Sequence, residues 1–448
     1  MRKAEMTRSP AHPPLVEEIP FVAFLGDYQK LISLRLAPYT SELGKTPIAG
    51  IRSELLRQLS NLAFPLLYKL FELRRLPLID YSGLNLLSLD PESTSIYDSF
   101  IADLHETDPQ IIELKSFLGR TLDRSLDSME RLLKRLIADH AAIETEFGFG
   151  ESLGSVVDLS FQLSDLHMRG CVAQVEFANG LRLIYKPKPL DSEVSFGAFL
   201  AWLEGRLLVA FKTPRVLNRG PYGYVEYVSS VPTSDESSMT AFHHRLGALL
   251  AAAFVLNMSD LHFDNIIGHG EHPLLIDLET LLQPRRAIFR CDADRISNET
   301  VLQIGFLPAW SPSGAAKAIS ISAYGVDTDG FFIEKDVIRN INTDKMLAIR
   351  ERFILPNNPV PKLDHLPQAV EWLIEGFAAA LRCVESDRTL LLSSRSPLCG
   401  LEGMATRVVS RYASVQPTFE GVLVLRQRRF LLSRLISQPS AHILSTPT

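Results

Sequence analysis

The sequence predicts an α+β fold, helices first and strands after, on three observations. From Phe21 to about Phe147 apolar residues return at three- and four-residue steps, as in LLRQLSNLAFPLLYKLFELRRL and LDRSLDSMERLLKRLIADHAAI, the period of an amphipathic helix. VAQVEFANGLRLIYKPKPL (172–190) alternates apolar and polar residues on both sides of Asn179-Gly180, a hairpin signal. Further on, SDLHFDNIIGHGEHPLLIDLETLL (259–282) sets acids, an amide and histidines around a short apolar run. The bland reading of that stretch, a polar loop between a buried helix and a buried strand, leaves its density of acids unexplained.

Composition bounds the class. At 448 residues the chain has room for two or three domains and a large core. Charged residues make up 22% and hydrophobic ones 46%, as in ordinary globular proteins, and a net charge of -6 argues against general nucleic-acid binding. Cys171, Cys291, Cys383 and Cys399 form no CxxC pair, so neither a zinc site nor a disulfide framework is indicated, and a cytoplasmic location is the expectation. The N-terminal MRKAEMTRSPAHPP is basic but leads into no apolar core, unlike a secretory signal. The longest apolar stretch, Leu246 to Leu256, is too short to span a bilayer and reads as a core helix.

In chain order, residues 1–18 read as a flexible tail and 19–150 as a helical region, with turn or helix-start signals at Asp90-Pro91-Glu92-Ser93 and Thr107-Asp108-Pro109. Residues 151–232 read as a small β-rich unit containing the hairpin, a helix from Phe196 to Leu208 and a strand in PYGYVEYVSSV (221–231). Residues 233–435 read as a larger, mostly helical unit with a clear amphipathic helix, LPQAVEWLIEGFAAALRCV (366–384). Within it, residues 285 to about 364 look irregular, and the Gly- and Ser-rich 311–330 suits a flexible loop over an active site. Arg407 and Arg411, four apart, would share one face of a helix, and 436–448 reads as a disordered tail.

Asp260 and Asn265 stand five apart, the spacing of the protein-kinase catalytic loop, where the Asp handles the nucleophile and the Asn holds a metal. The run Leu274-Leu275-Ile276 ends in Asp277, with Glu279 on the same side if the chain stays extended. Lys186 leaves the second hairpin strand upstream of this set, where a kinase keeps its phosphate-binding lysine; Glu193, before the next helix, and Glu204, within it, are candidate partners. Asp165 and His167, two apart ahead of the hairpin, can share a ligand or phosphate, or simply form a turn.

Together these pieces resemble the dehydratase part of class II lanthipeptide synthetases. The resemblance is carried by DLHMRG (165–170), LIYKPKPLD (183–191), the helix with Trp202-Leu203, YGYVEYV (222–228), DLHFDNIIGHGEHPLLIDLETL (260–281) and the FLP at 306–308. It runs from about residue 20 to about 415, and the 260–281 block is its most specific part. The family implies a two-lobed fold like that of lipid and protein kinases with N-terminal helical additions. It also implies ATP-dependent phosphorylation of Ser or Thr in a precursor peptide, followed by phosphate elimination to dehydroalanine or dehydrobutyrine. Carried over, Lys186 would hold ATP phosphates, Asp260 would orient or deprotonate the hydroxyl, and His262 would complete the catalytic loop. Asn265, Asp277 and Glu279 would bind magnesium, Asp165 and His167 match a pair important for dehydration, and Arg407 matches an arginine of the elimination step.

The departures are specific too. Asp264 stands where the family has Glu, and Ala413 replaces the Thr of its R-x-x-x-R-x-T pattern, which bears on elimination more than on phosphorylation. The zinc-dependent cyclase that follows in the family has no counterpart before Thr448, so a chain that cannot cyclise alone, working beside a separate cyclase, is one expectation. Three readings result: a dehydratase, a peptide kinase that stops at the phosphopeptide, and a non-catalytic remnant that binds peptide or nucleotide.

Overall fold

The computed structural model describes residues 19–81, 90, 92–104, 108–161, 170–262, 265–284, 292, 299–307, 310–312, 318–320, 332–354, 366–404 and 406–407. They form an α+β structure. The first part is helical: α1 (Gly26–Leu36), α2 (Thr40–Leu43), α3 (Lys45–Tyr81), α4 (Ser95–Ala102) and α5 (Pro109–Phe147). α5 starts where its sequence says it should, with Pro109 in the first turn and the Asp108 carboxylate accepting from the Gln110 N–H at 2.7 Å. Its buried stripe runs through Leu114, Leu118, Leu122, Met129 and Leu136 to Phe147, the helical period made physical.

A five-stranded antiparallel sheet follows, built from β1 (Val156–Phe161), β2 (Ala173–Phe177), β3 (Arg182–Lys186), β4 (Val216–Asn218) and β5 (Gly223–Glu226) in the order β1-β2-β3-β5-β4. Helix α6 (Asp191–Leu207) connects β3 to β4. The β2–β3 turn sits at Asn179-Gly180, but only Gly180 of the pair takes positive φ (86°), so it is not the type I′ turn that this dipeptide favours. Leu183 and Tyr185 of β3 are buried with α3 and α5, so one core runs from the helical region into the sheet without a break near residue 150. Tyr185 also accepts a hydrogen bond from Arg135 of α5 at 2.6 Å. By strand alternation, Lys186 then faces the other side.

On that other side a second core joins α6 to α7 (Glu236–Val255) and α8 (Leu366–Ser386). α7 and α8 touch backbone to backbone. A Cβ on Gly247 would lie 1.9 Å from the Leu373 carbonyl oxygen, and one on Gly376 2.0 Å from that of His244, so both positions demand glycine. The hairpin β6 (Ile266–His269) and β7 (His272–Leu275) joins this second core through Ile266 and Leu275. No helix among the described residues is long and apolar enough to cross a membrane.

Two readings need correction. Residues 285–364 are not uniformly irregular: β8 (Trp310–Pro312) pairs with β9 (Ala318–Ser320), and β10 (Phe332–Arg339) with β11 (Leu347–Ile354). FIEKDVIR and LAIRERFI carry strand character that the turn-rich sequence around them masks, and their charges pair across the ribbon, as Glu334–Arg352 and Asp336–Arg350 do. The ribbon's turn docks on the helical region. There the buried Asp344 accepts from the Ser93 hydroxyl (2.6 Å) and the Tyr97 N–H (2.8 Å), while the buried Arg75 donates to the carbonyls of Asp344 and Met346 (2.8 Å each). Second, the helix read from Phe196 starts at Asp191, which places Glu193 in its first turn rather than ahead of it.

Candidate active site

The end of β3 delivers the first charged group. Lys186 Nζ lies 3.0 Å from Glu193 Oε1, and both side chains are largely buried. Glu193 sits in the first turn of α6, where unpaired N–H groups favour an anion, and it accepts from the Ser192 hydroxyl at 2.7 Å. Burial disfavours its charge, but the ammonium groups of Lys186 and Lys188 outweigh that and hold its carboxyl below the usual range.

Two residues on, Lys188 reaches across to the second core. Its Nζ lies 2.7 Å from Asp277 Oδ1 and 3.0 Å from Glu279 Oε2, so one ammonium bridges two carboxylates. Glu279 offers its other oxygen to Arg407 Nη1, and the Arg407 N–H donates to the Glu279 carbonyl at 2.8 Å. Burial opposes the charge on Asp277, yet Lys188 and Lys186 hold its carboxyl low; burial likewise opposes the charge on Lys188, and Asp277, Glu193 and Glu279 together push its ammonium above the usual lysine range. Lys186, Lys188 and Arg407 thus meet Glu193, Asp277 and Glu279, three charges of each sign.

The backbone here is strained. Asn257, Asp260, Asp277 and Leu282 all take left-handed φ (47°, 63°, 61° and 56°), a conformation that Asn and Asp enter readily but that costs a residue such as Leu282 about 1–2 kcal/mol. Asp277 is therefore not on an extended chain as read from sequence: β7 ends at Leu275, and a left-handed turn, not strand alternation, aims Asp277 and Glu279 at the same lysine. Surrounding bonds hold this geometry. The Leu261 N–H donates to the Ile304 carbonyl (2.8 Å), Leu282 N–H to Leu256 (2.8 Å), and Gln303 Nε2 to Asn257 Oδ1 (2.8 Å). Asn265 donates its amide to the Asp260 carbonyl at 2.7 Å, which fixes which way its side chain lies, and His262 Nε2 is 4.0 Å from Asp260 Oδ1.

Lys186, Glu193 and Asp277 also line a mostly apolar cleft, bordered by Lys212 and Thr213 and walled by Phe196 and Leu200 of α6, Val216 and Val225 of the sheet, and Leu249 and Leu275 of the second core. An apolar slot ending in a few convergent charges is the usual form of a small-molecule site. For a divalent cation the donor set fits in part. Asp277 and Glu279 supply two carboxylate oxygens around one position, as magnesium sites completed by phosphate do. Among the described residues no group of three His, Cys, Asp or Glu could hold a metal alone.

Of the residues expected from sequence, Lys186, Asp277, Glu279 and Arg407 come together; Asp260, His262 and Asn265 form an adjoining loop, and the charge of Asp260 acts on Arg407. The Arg407 backbone pairs with Glu279, and Arg411, its partner on the expected helix face, lies outside the described residues. Asp165, His167, Asp264, Ala413 and the two tails also lie outside them. Sequence reasoning missed Lys188, although its spacing of two from Lys186 in Lys-Pro-Lys could have marked it.

Two comparisons bear on family. A family model described as a domain of unknown function, DUF4135, matches residues 113–419, more than half of the chain. The chain is also similar to the Lacticin 481/lactococcin biosynthesis protein LcnDR2 of Lactococcus lactis subsp. lactis, 32% identical over 159 residues. That match covers 32% of this chain and 17% of the length of the relative. The chain belongs to the DUF4135 family, a domain associated with lanthipeptide synthetases, and is a class II lanthipeptide synthetase-like protein.

Proposed function

We propose that the chain acts in lanthipeptide biosynthesis as an ATP- and magnesium-dependent dehydratase on Ser and Thr of a precursor peptide, within a kinase-like two-lobed arrangement. The observation that carries this reading is the meeting, on one cleft, of a strand lysine paired to a helix glutamate (Lys186–Glu193) with the Asp277–Glu279–Arg407 cluster. A lysine–glutamate pair of this kind is what kinases use to hold nucleotide phosphates.

In the first step the substrate hydroxyl oxygen bonds to the γ-phosphorus of ATP and the bond to the β-phosphate oxygen breaks, releasing ADP. Asp260, left-handed at the start of its loop, orients the hydroxyl and takes its proton. Lys186 positions the phosphates, and Asn265, Asp277 and Glu279 would hold a magnesium ion, which would supply neutralisation of phosphate charge. In the second step a general base takes the α-proton, the C–H electron pair forms the Cα=Cβ bond, and the Cβ–O bond breaks as phosphate departs, giving the dehydro residue. Arg407, a fixed cation beside Glu279, stabilises that leaving phosphate. Asp165 and His167 are carried over from the family pair for dehydration.

The test is intact mass of a precursor peptide incubated with the protein, ATP and magnesium. A loss of about 18 Da per site marks dehydration, and a gain of about 80 Da marks a kinase that stops at the phosphopeptide, the reading that Ala413 favours. No change, on a peptide that a relative does modify, refutes both.

A further inference from the structure

Lys188 has no part in the chemistry above, yet it holds the two carboxylates assigned to the metal. Its Nζ sits 2.7 Å from Asp277 Oδ1 and 3.0 Å from Glu279 Oε2, between the very oxygens that a divalent cation would take. Two cations cannot share that position: unit charges 4 Å apart repel by roughly 4 kcal/mol in partly buried surroundings. The remaining oxygen of Glu279 is held by Arg407, so both oxygens of that carboxylate and one of Asp277 already face a cation. Pro187 and Pro189 fix the backbone on both sides of Lys188, which leaves its long, flexible stem as the part that moves.

Resting on the reading of Asp277 and Glu279 as metal ligands, we infer that Lys188 is a resident counter-ion that keeps the metal site closed until a nucleotide arrives. In the ligand-free protein its ammonium occupies the carboxylate pair. When metal and nucleotide bind together, the ammonium leaves the carboxylates and turns to the phosphates. The charge balance enforces the order. The six groups of the cluster already cancel three against three, so a bare dication leaves a surplus of positive charge, whereas a polyphosphate brings more negative charge than its metal brings positive. Lys188 is thus a positioning residue that couples metal binding to nucleotide binding.

The experiment is a Mn2+ titration of the full chain, followed by the paramagnetic resonance of free Mn2+, with and without a non-hydrolysable ATP analogue. Lys188→Met should bind Mn2+ without nucleotide about tenfold tighter or more, because the competing charge is gone, and should bind the analogue with Mn2+ about tenfold more weakly. Lys188→Arg, which keeps the charge, should bind free Mn2+ no tighter than the natural protein; Lys188→Gln replaces the methionine variant if that one does not fold. Unchanged or weaker free-Mn2+ binding in the neutral variants, with binding still lost in Asp277→Asn, overturns the inference and leaves the metal assignment standing. Indifference of Mn2+ binding to Asp277→Asn and Glu279→Gln, with or without nucleotide, overturns both.

Discussion

At the turn of the β10–β11 ribbon, Asp344 accepts from two serine hydroxyls and the Tyr97 N–H, and Arg75 donates to the carbonyls of Asp344 and Met346. At the cleft, Asp277 and Glu279 instead face Lys188 and Arg407. Both clusters take charged side chains out of water, and Arg75 also pairs with Glu72 of its own helix, but the hydrogen-bond partners of the acids differ in kind. The ribbon's acid is satisfied by neutral donors and acts as an N-cap in trans for α4, which welds a distant loop to the helical region. Asp277 and Glu279 of the cleft face charged partners, at a left-handed turn beside an open slot. Neutral partners leave little for a ligand to exchange, whereas a phosphate or cation can trade places with a charged one. The first arrangement suits stability, and the second suits exchange with a ligand, as the proposed function requires.

Substitutions should separate the two. Asp260→Asn should produce the largest effect, a loss of ATP-dependent peptide modification of about 10³-fold or more, some 4 kcal/mol of transition-state stabilisation. Its melting temperature should hold, since Asn tolerates left-handed φ at least as well as Asp. Parallel loss of activity and stability would erase the distinction. Arg75→Met should do the reverse and destabilise the fold by roughly 3–5 kcal/mol, because it strands two buried carbonyls, while activity per folded molecule is kept. Urea unfolding read alongside turnover distinguishes these outcomes.

Much of the site was legible because its residues are close in sequence. Asp260, Asn265, Asp277 and Glu279 fall in one stretch, and Lys186 ends a hairpin strand marked by Asn179-Gly180. What sequence hid are contacts made only by folding. Arg407 meets Glu279 across 128 positions, and Asp344 meets Tyr97 across 247, and no local period announces either. The aim of Asp277 was misread for the same reason: strand alternation is a local rule, and the left-handed turn that overrides it follows directly on the Ile276 N–H bond to the Asn265 carbonyl of the adjoining loop. The α+β class followed from periodicity and patterning, which need no tertiary information.

Acid should dismantle the cleft cluster late. Glu193 and Asp277 have carboxyls held below their ordinary values of 4.5 and 3.8, against the opposing effect of burial, by Lys186 and Lys188. A depressed carboxyl stabilises fully above its unfolded value and loses that contribution as pH falls through the lower folded one. Asp277→Asn should therefore flatten the stability profile only below about pH 4 and leave it unchanged in shape above about pH 5. A change in shape confined to neutral pH would mean that Asp277 is not ionised beside Lys188.

A third buried polar group gives the smallest and sharpest contrast. His243 of α7 lies against Phe242 and Trp372, in the α7–α8 contact that Gly247 and Gly376 make close, with Nδ1 2.7 Å from the Met239 carbonyl. Burial lowers its pKa from 6.5, His244 lowers it further, and the Met239 carbonyl only partly offsets them. The unfolded chain then takes up a proton near pH 6.5 that the folded chain refuses, so stability falls as pH drops below that value, by at most about 1.4 kcal/mol per pH unit. The α7–α8 contact should thus soften in mild acid, well before the cleft carboxylates titrate. His243→Gln should reduce the slope of unfolding free energy between pH 6.5 and about 5. The remainder should come from His272, whose pKa burial and the nearby Arg245 also lower, and should vanish in the double variant. A slope that survives both substitutions would place the mild-acid sensitivity elsewhere and leave the α7–α8 contact indifferent to pH.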